Sequence, residues 1–264
     1  MKKETALITG ASSGIGLELA GQFGAHGSNL VLVARRKNKL LEAADEIRRR
    51  YGVRCVEFCT DLSDIDAADS IFEFCRKENI DVDVLVNNAG FGANNAFLNL
   101  SVELQMHMLQ VNVLTLTKLT RLFLPAMVER NKGGIINVSS TGAFQPGPFM
   151  AVYYASKSYV YSFTFALADE LAQSGVKVSC LAPGPVDTEF RRTAKIQSAG
   201  IMRKLGEQSA AHVARTAYHG FRKGKRLIVP GVMNKIGVFA MRFISRKTAC
   251  GMAKTINKIN YEIP

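Results

Sequence analysis

The chain has 264 residues, 47% of them hydrophobic and 21% charged, which excludes a disordered, collagen-like or disulfide-scaffold protein. Its net charge of +12 sits in the last quarter: residues 1–190 carry 18 Lys/Arg against 20 Asp/Glu, and residues 191–264 carry 16 against 2. Such asymmetry fits an anionic membrane surface or an acidic partner, or else a solvated face; no nucleic-acid-binding signature accompanies it, so nucleic acid is not expected.

Short apolar runs at 6–8, 30–33, 53–58, 82–86, 135–138, 176–181 and 227–229 read as strands. Helix-length patterns at 14–26, 39–51, 64–78, 102–130, 153–173 and 210–222 lie between them. This alternation predicts an α/β fold with a parallel sheet covered on both faces. No repeat or linker divides the chain. The stretch after Met1-Lys2-Lys3 is too short for a secretory leader, and the longest uncharged stretch, 133–156, holds Pro146 and Pro148 and is not a membrane span. Cys55, Cys59, Cys75, Cys180 and Cys250 form no CxxC pair, which fits core filling in a reducing, cytoplasmic setting.

After the first strand comes Thr9-Gly10-Ala11-Ser12-Ser13-Gly14-Ile15-Gly16, opening the first helix. Glycines there let the backbone approach a pyrophosphate, and the helix N-terminus offers unpaired N–H groups to it. At the end of the second strand stands Ala34-Arg35-Arg36-Lys37, and no acid occurs between Glu18 and Glu42. A guanidinium at this place grips the 2′-phosphate of NADP(H), and a carboxylate there would favour NAD. NADP(H) is therefore the expected cofactor, with Arg35 the foremost contact and Ser12 and Arg36 in support.

The sequence is identified as a member of the short-chain dehydrogenase/reductase family, most similar to bacterial ketoacyl-reductase-like oxidoreductases. The TGxxxGxG loop, Asn87-Asn88-Ala89-Gly90, Tyr153-Tyr154-Ala155-Ser156-Lys157 and Pro183-Gly184-Pro185-Val186-Asp187-Thr188 carry the resemblance across about residues 3–230. It implies a Rossmann-type doubly wound sheet of about seven parallel strands. It divides the chain into one domain, 1–230, with a variable substrate lid at about 188–208, and a basic amphipathic extension, 231–264.

For the cofactor, the resemblance implies contacts from Gly10, Ser12, Ser13, Gly14, Ile15 and Gly16, from Asp61 and Leu62 at the adenine, and from Asn88, Ala89 and Gly90. Pro183, Gly184, Val186 and Thr188 would lie at the nicotinamide, and Tyr153 and Lys157 at its ribose. It also implies a tetrad of Asn112, Ser140, Tyr153 and Lys157, the spacing of 13 residues selecting Ser140 over Ser139 and Tyr153 over Tyr154.

The chemistry of the pair can be read independently. Tyr153 and Lys157 are four apart, on one face of a helix, where an ammonium draws the phenol towards its phenolate. Tyr153 would give a proton to the alkoxide formed when hydride reaches a carbonyl, and Ser140 would hold the substrate oxygen. The expected function is interconversion of a ketone or aldehyde with an alcohol, on an apolar substrate that includes a 3-oxoacyl thioester on coenzyme A or a carrier among its candidates. The alternative, a catalytically idle NADP(H) sensor or scaffold, is disfavoured because Tyr153 and Lys157 are both present. Family members pair through helices matching 102–130 and 153–173, implying a homodimer or homotetramer. The basic extension is expected to pack on the domain, with peripheral membrane contact as a second expectation.

Overall fold

In the computed structural model of the protein, residues 3–186, 188–189 and 207–257 are described. The strands are β1 (Thr5–Thr9), β2 (Asn29–Ala34), β3 (Cys55–Cys59), β4 (Val84–Asn87), β5 (Gly133–Val138), β6 (Val176–Leu181) and β7 (Leu227–Ile228). They form one sheet, parallel throughout, in the order β3-β2-β1-β4-β5-β6-β7. The chain winds outward from β1 to β3, then restarts on the other side of β1 with β4. That reversal opens a crevice at the carboxyl ends of β1 and β4, the place where open α/β sheets bind ligands.

The helices are α1 (Gly14–Ala25), α2 (Lys37–Tyr51), α3 (Ala67–Lys77), α4 (Val102–Leu109), α5 (Leu116–Glu129), α6 (Ala151–Glu170), α7 (Ala210–Arg222), α8 (Val232–Ala240) and α9 (Arg246–Asn257). Ala6, Ile8, Leu30 and Leu32 point to one sheet face and meet Leu19 and Phe23 of α1 and Phe221 of α7. Leu7, Val31, Val33 and Leu85 point to the other and meet Ile71 of α3 and Leu119 and Phe123 of α5. With both faces covered, the strands need unbroken apolar runs, which is why alternation is missing from them. Arg222 pairs with Glu4, fastening α7 to the residue just before β1.

Local polar contacts shift several expected boundaries. β3 starts at Cys55 rather than 53, because Asn29 Oδ1 accepts the Arg54 N–H at 3.3 Å. α3 starts at Ala67 rather than 64, since Asp64 accepts the N–H of Asp66 at 3.0 Å in a local turn. The expected rod at 102–130 is interrupted: a π-helical turn, Gln110–Thr115, joins α4 to α5. Its whole run, Val102–Glu129, is long and apolar enough to cross a membrane, yet Leu119, Phe123 and Met127 are buried against the sheet. It is read as a core helix.

Residues 231–257, in the segment expected to be an amphipathic extension, form α8 and α9. Asn234 of α8 lies against Gly184, where a Cβ at the glycine would collide with it. Ala249, Ala253 and Asn257 make a buried stripe along α9. Cys55, Cys75 and Cys180 are buried as core filler, whereas Cys59 is exposed.

Candidate active site

The loop between β1 and α1 turns at Gly10, whose φ of +66° suits glycine. A Cβ at Gly10 would come within 2.8 Å of Asn88 Nδ2, and one at Gly16 would strike the Gly10 carbonyl oxygen. Asn88 fastens the two strand ends, donating from Nδ2 to the Thr9 carbonyl at 2.9 Å. Thr9 Oγ1 accepts from the N–H groups of Asn88 and Ala89, both at 3.0 Å. Ser13 caps α1 in extended conformation without a side-chain capping bond. The first-turn N–H groups thus face the crevice without an intrahelical acceptor, as a phosphate requires. This glycine-lined cradle fits the pyrophosphate of a nicotinamide dinucleotide.

The two arginines diverge. Arg36 reaches over the loop, donating to Ser13 Oγ at 3.0 Å and Ser12 Oγ at 3.4 Å. Arg35 turns to Asp61, with Nη1 at 3.1 Å from Oδ2, and stays largely exposed. Asp61 also accepts from the N–H and Oγ of Ser63, and these bonds with the Arg35 charge hold its carboxyl below the usual range despite burial. Leu62 is buried, and its carbonyl accepts from Thr115 Oγ1 at 2.9 Å.

The structure gathers Asn112, Ser140, Tyr153 and Lys157 around the carboxyl ends of β4 and β5. Asn112 lies fully buried in the π turn. Its Oδ1 accepts the Phe91 N–H at 3.1 Å, and its Nδ2 donates to the Phe91 carbonyl and to Ser156 Oγ, both at 3.0 Å. Gly90 is the floor beside it: a Cβ there would lie 3.0 Å from Asn112 Oδ1 and 3.1 Å from Lys157 Nζ. Lys157 Nζ donates to the Val138 carbonyl at 2.8 Å and sits 5.9 Å from the centre of the Tyr153 ring. Burial lowers the Lys157 ammonium to about 8, against a small opposing effect of Cys180.

Tyr153 is pushed up to about 12 by burial, opposed by its hydrogen bond to Ser140. In the protein alone, removal from water outweighs any pull of Lys157 on the phenol. Tyr153 is therefore protonated at neutral pH, the state a proton donor needs. Ser140 Oγ also accepts the Gly142 N–H at 3.0 Å, which fixes its rotamer.

The neighbouring rivals have other tasks. Ser139 Oγ donates to the Lys157 carbonyl at 2.7 Å, tying β5 to α6. The Tyr154 hydroxyl accepts from Asn257 Nδ2 at 3.3 Å, and Asn257 also donates to the Pro148 carbonyl at 3.1 Å.

Beyond β6, the Pro183 carbonyl accepts the Thr141 N–H at 2.9 Å, and Val186 is buried in a bridge with Gln208. Thr188 returns to the glycine loop; a Cβ at Gly14 would lie 3.1 Å from its Cγ2. Residues 190–206, most of the expected lid, lie outside the described residues.

Three participants carry no sequence signal. Glu189 ion-pairs with Arg36 at 2.6 Å and Lys39 at 2.5 Å, and these bonds pull its carboxyl down to about 2. Phe149 holds a left-handed backbone, φ +67°, while its carbonyl accepts the Asn95 N–H at 2.9 Å. A bulky residue in that conformation carries strain on the order of 1–3 kcal/mol. Asn257 is the third. A recess beside Tyr153 is lined by Ala93, Phe97, Leu100, Met108 and Phe149. Its walls are mostly apolar, with the polar Asn95 and Gln105 among them.

Residues 4–199 match the family model for short chain dehydrogenases. The chain is 35% identical over 189 residues to an NADP-dependent 3-hydroxy acid dehydrogenase of Schizosaccharomyces pombe, covering 71% of this chain and 73% of that protein. It is 33% identical over 196 residues to the human very-long-chain 3-oxoacyl-CoA reductase, covering 73% of this chain and 62% of that one. A short-chain dehydrogenase from Sphingobium yanoikuyae in complex with NADPH superposes with a TM-score of 0.80 at 28% identity, over 92% of this chain and 96% of that one. Matching family model, parallel topology and crevice agree, and this chain belongs to the short-chain dehydrogenase family, a family of oxidoreductases.

Proposed function

We propose that this protein is an NADP(H)-dependent oxidoreductase that interconverts an apolar ketone or aldehyde with the corresponding alcohol. The observation that carries this reading is a half-buried Tyr153 hydrogen-bonded to Ser140, beside a mostly apolar recess and near the buried Lys157.

The glycine loop and the α1 N-terminus would hold the pyrophosphate, Arg36 with Ser12 and Ser13 the 2′-phosphate, and Lys157 the nicotinamide ribose. When bound, the nicotinamide supplies or accepts the hydride. Ser140 orients the substrate oxygen, and Tyr153 delivers its hydroxyl proton to that oxygen as reduction proceeds. In the reverse direction the Tyr153 oxygen takes the proton from the alcohol. The Val138 carbonyl and Gly90 keep Lys157 near the phenol; after reduction the Lys157 ammonium would pass a proton to the Tyr153 oxygen and regain one from solvent.

The recess favours an acyl chain or other apolar ketone. A 3-oxoacyl thioester is the leading candidate, supported by relatives named as 3-oxoacyl-CoA reductases and by the basic surface, which complements an anionic coenzyme A or carrier. A cytoplasmic homo-oligomer is proposed, and exposed Met106, Leu114 and Tyr159 along α4 to α6 support self-association there. The test is a panel of ketones and acyl thioesters assayed with NADPH and NADH in parallel. Turnover with NADPH that disappears in Tyr153→Phe is expected; full turnover in that variant would refute the assignment.

A further inference from the structure

Among the described residues, the outward side of α8 has no task in the fold or in the site. Val232, Ile236 and Phe239, with Phe243 in the turn beyond, repeat at spacings of four, three and four residues, so they form one stripe along the helix. All four are exposed, at 69%, 55%, 58% and 77%. The rings of Phe239 and Phe243 meet edge to face with centroids 5.3 Å apart, an aromatic pair presented to solvent. The opposite side of the helix faces the domain: Asn234, Val238 and Met241 are half-buried, and Asn234 lies against Gly184. This stripe is therefore surplus to packing.

Charge decides what it suits. Lys235 and Arg242 fall along one edge of the stripe, and the Arg242 guanidinium lies 5.9 Å from the centre of the Phe239 ring. Arg246, Lys247 and Lys254 follow on α9, with Met252 exposed among them. Between Glu207 and Glu262 the sequence holds no acid at all. Two copies meeting through this face would set these cations against one another, so self-association is disfavoured. An apolar stripe edged by Lys and Arg matches the boundary between acyl chains and anionic headgroups.

We propose that the outward stripe of α8 and the turn after it seats this protein on an anionic lipid bilayer surface, with Phe239 and Phe243 entering the acyl boundary and Lys235, Arg242 and the α9 cations meeting the headgroups. α8 touches the loop at Gly184, and α9 touches Pro148 and Tyr154, so the docked helices are the ones that border the site. The proposal is independent of the cofactor and substrate assignments.

The experiment is co-sedimentation of the full chain with vesicles of phosphatidylcholine and phosphatidylglycerol in a 3:1 ratio, and with pure phosphatidylcholine vesicles, at 0.1 M NaCl. Each cation near an anionic surface favours binding about fivefold. Binding to the mixed vesicles is expected to exceed that to pure phosphatidylcholine by tenfold or more, and to fall steeply at 1 M NaCl, as the Debye length shrinks to about 3 Å.

The double variant Phe239→Ser/Phe243→Ser is expected to lose at least about tenfold in binding while keeping its circular dichroism and its reductase rate on a water-soluble ketone. Equal pelleting with both vesicle types, no pelleting above the lipid-free control, or undiminished binding of the double variant would each overturn the proposal. So would a halving of the solution mass of the double variant, which would give the stripe to a second copy.

Discussion

The Glu189 carboxylate lies 2.6 Å from Arg36 Nη2, on the guanidinium that spans Ser12 and Ser13. An anion already occupies the cation proposed for the 2′-phosphate, and with its carboxyl held down to about 2 it stays charged at every working pH. Glu189→Gln is expected to tighten NADPH binding by about three- to tenfold, since a neutral amide competes less for Arg36. NADH binding should barely change. Fluorescence titration of both nucleotides checks this; an equal shift for both would assign Glu189 to general loop packing.

The two arginines should separate in the same assay. Arg36→Ala removes the charged donor over the loop and is expected to weaken NADPH by about tenfold or more. Arg35→Ala breaks an exposed pair with Asp61, and exposed pairs of this kind contribute little, on the order of 0–1 kcal/mol. Its effect on NADPH should be the smaller of the two. The opposite order would mean that Arg35 leaves Asp61 for the cofactor.

The first and fourth strands were legible because fully buried parallel strands must be apolar, and the glycines because a pyrophosphate needs bare backbone. That Tyr153 and Lys157 share one face was legible because they stand four apart on α6. What could not be read depends on pairings distant in sequence. Glu189 meets Lys39 across 150 positions, and Asn257 meets Tyr154 across 103. The left-handed Phe149 is imposed by its surroundings, as nothing in an aromatic side chain favours that conformation. The expected pull of Lys157 on the phenol also needed a correction for burial, which no spacing rule contains.

Tyr153→Phe should lower kcat by at least about a hundredfold and leave the NADPH dissociation constant within about twofold, because only the proton is removed. The pH profile has a definite sign. A phenol at about 12 is protonated at neutral pH, so reduction should be level there while alcohol oxidation rises with pH. Oxidation rates that fall between pH 7 and 10 would contradict this role.

Lys157 makes stability depend on pH. Its folded value, about 8, lies below the ordinary 10.5. Below pH 8 the ammonium is charged in both states, and burying it opposes folding. Between about 8 and 10.5 the folded protein releases its proton first, so wild-type stability should climb by at most about 3 kcal/mol. Lys157→Met should be inactive yet flatten that climb. Urea midpoints at pH 7, 8, 9 and 10 test it; parallel curves for the two proteins would show that the ammonium is not desolvated as described.

Asn257→Ala removes the hydrogen bonds that hold α9 to Pro148 and to the Tyr154 hydroxyl, for about 1–3 kcal/mol of stability. Bulky apolar ketones should show a raised KM with kcat and NADPH affinity unchanged. A loss confined to kcat would instead place Asn257 in the proton path.

The π turn at Gln110–Thr115 holds one residue more than an ordinary helical turn would, and so offsets the facing of α4 from that of α5. Leu119 and Phe123 can therefore point into the core while Asn112 meets Phe91 and Ser156. A one-residue deletion inside the turn would remove that offset, and should inactivate the protein more readily than many larger changes in the core.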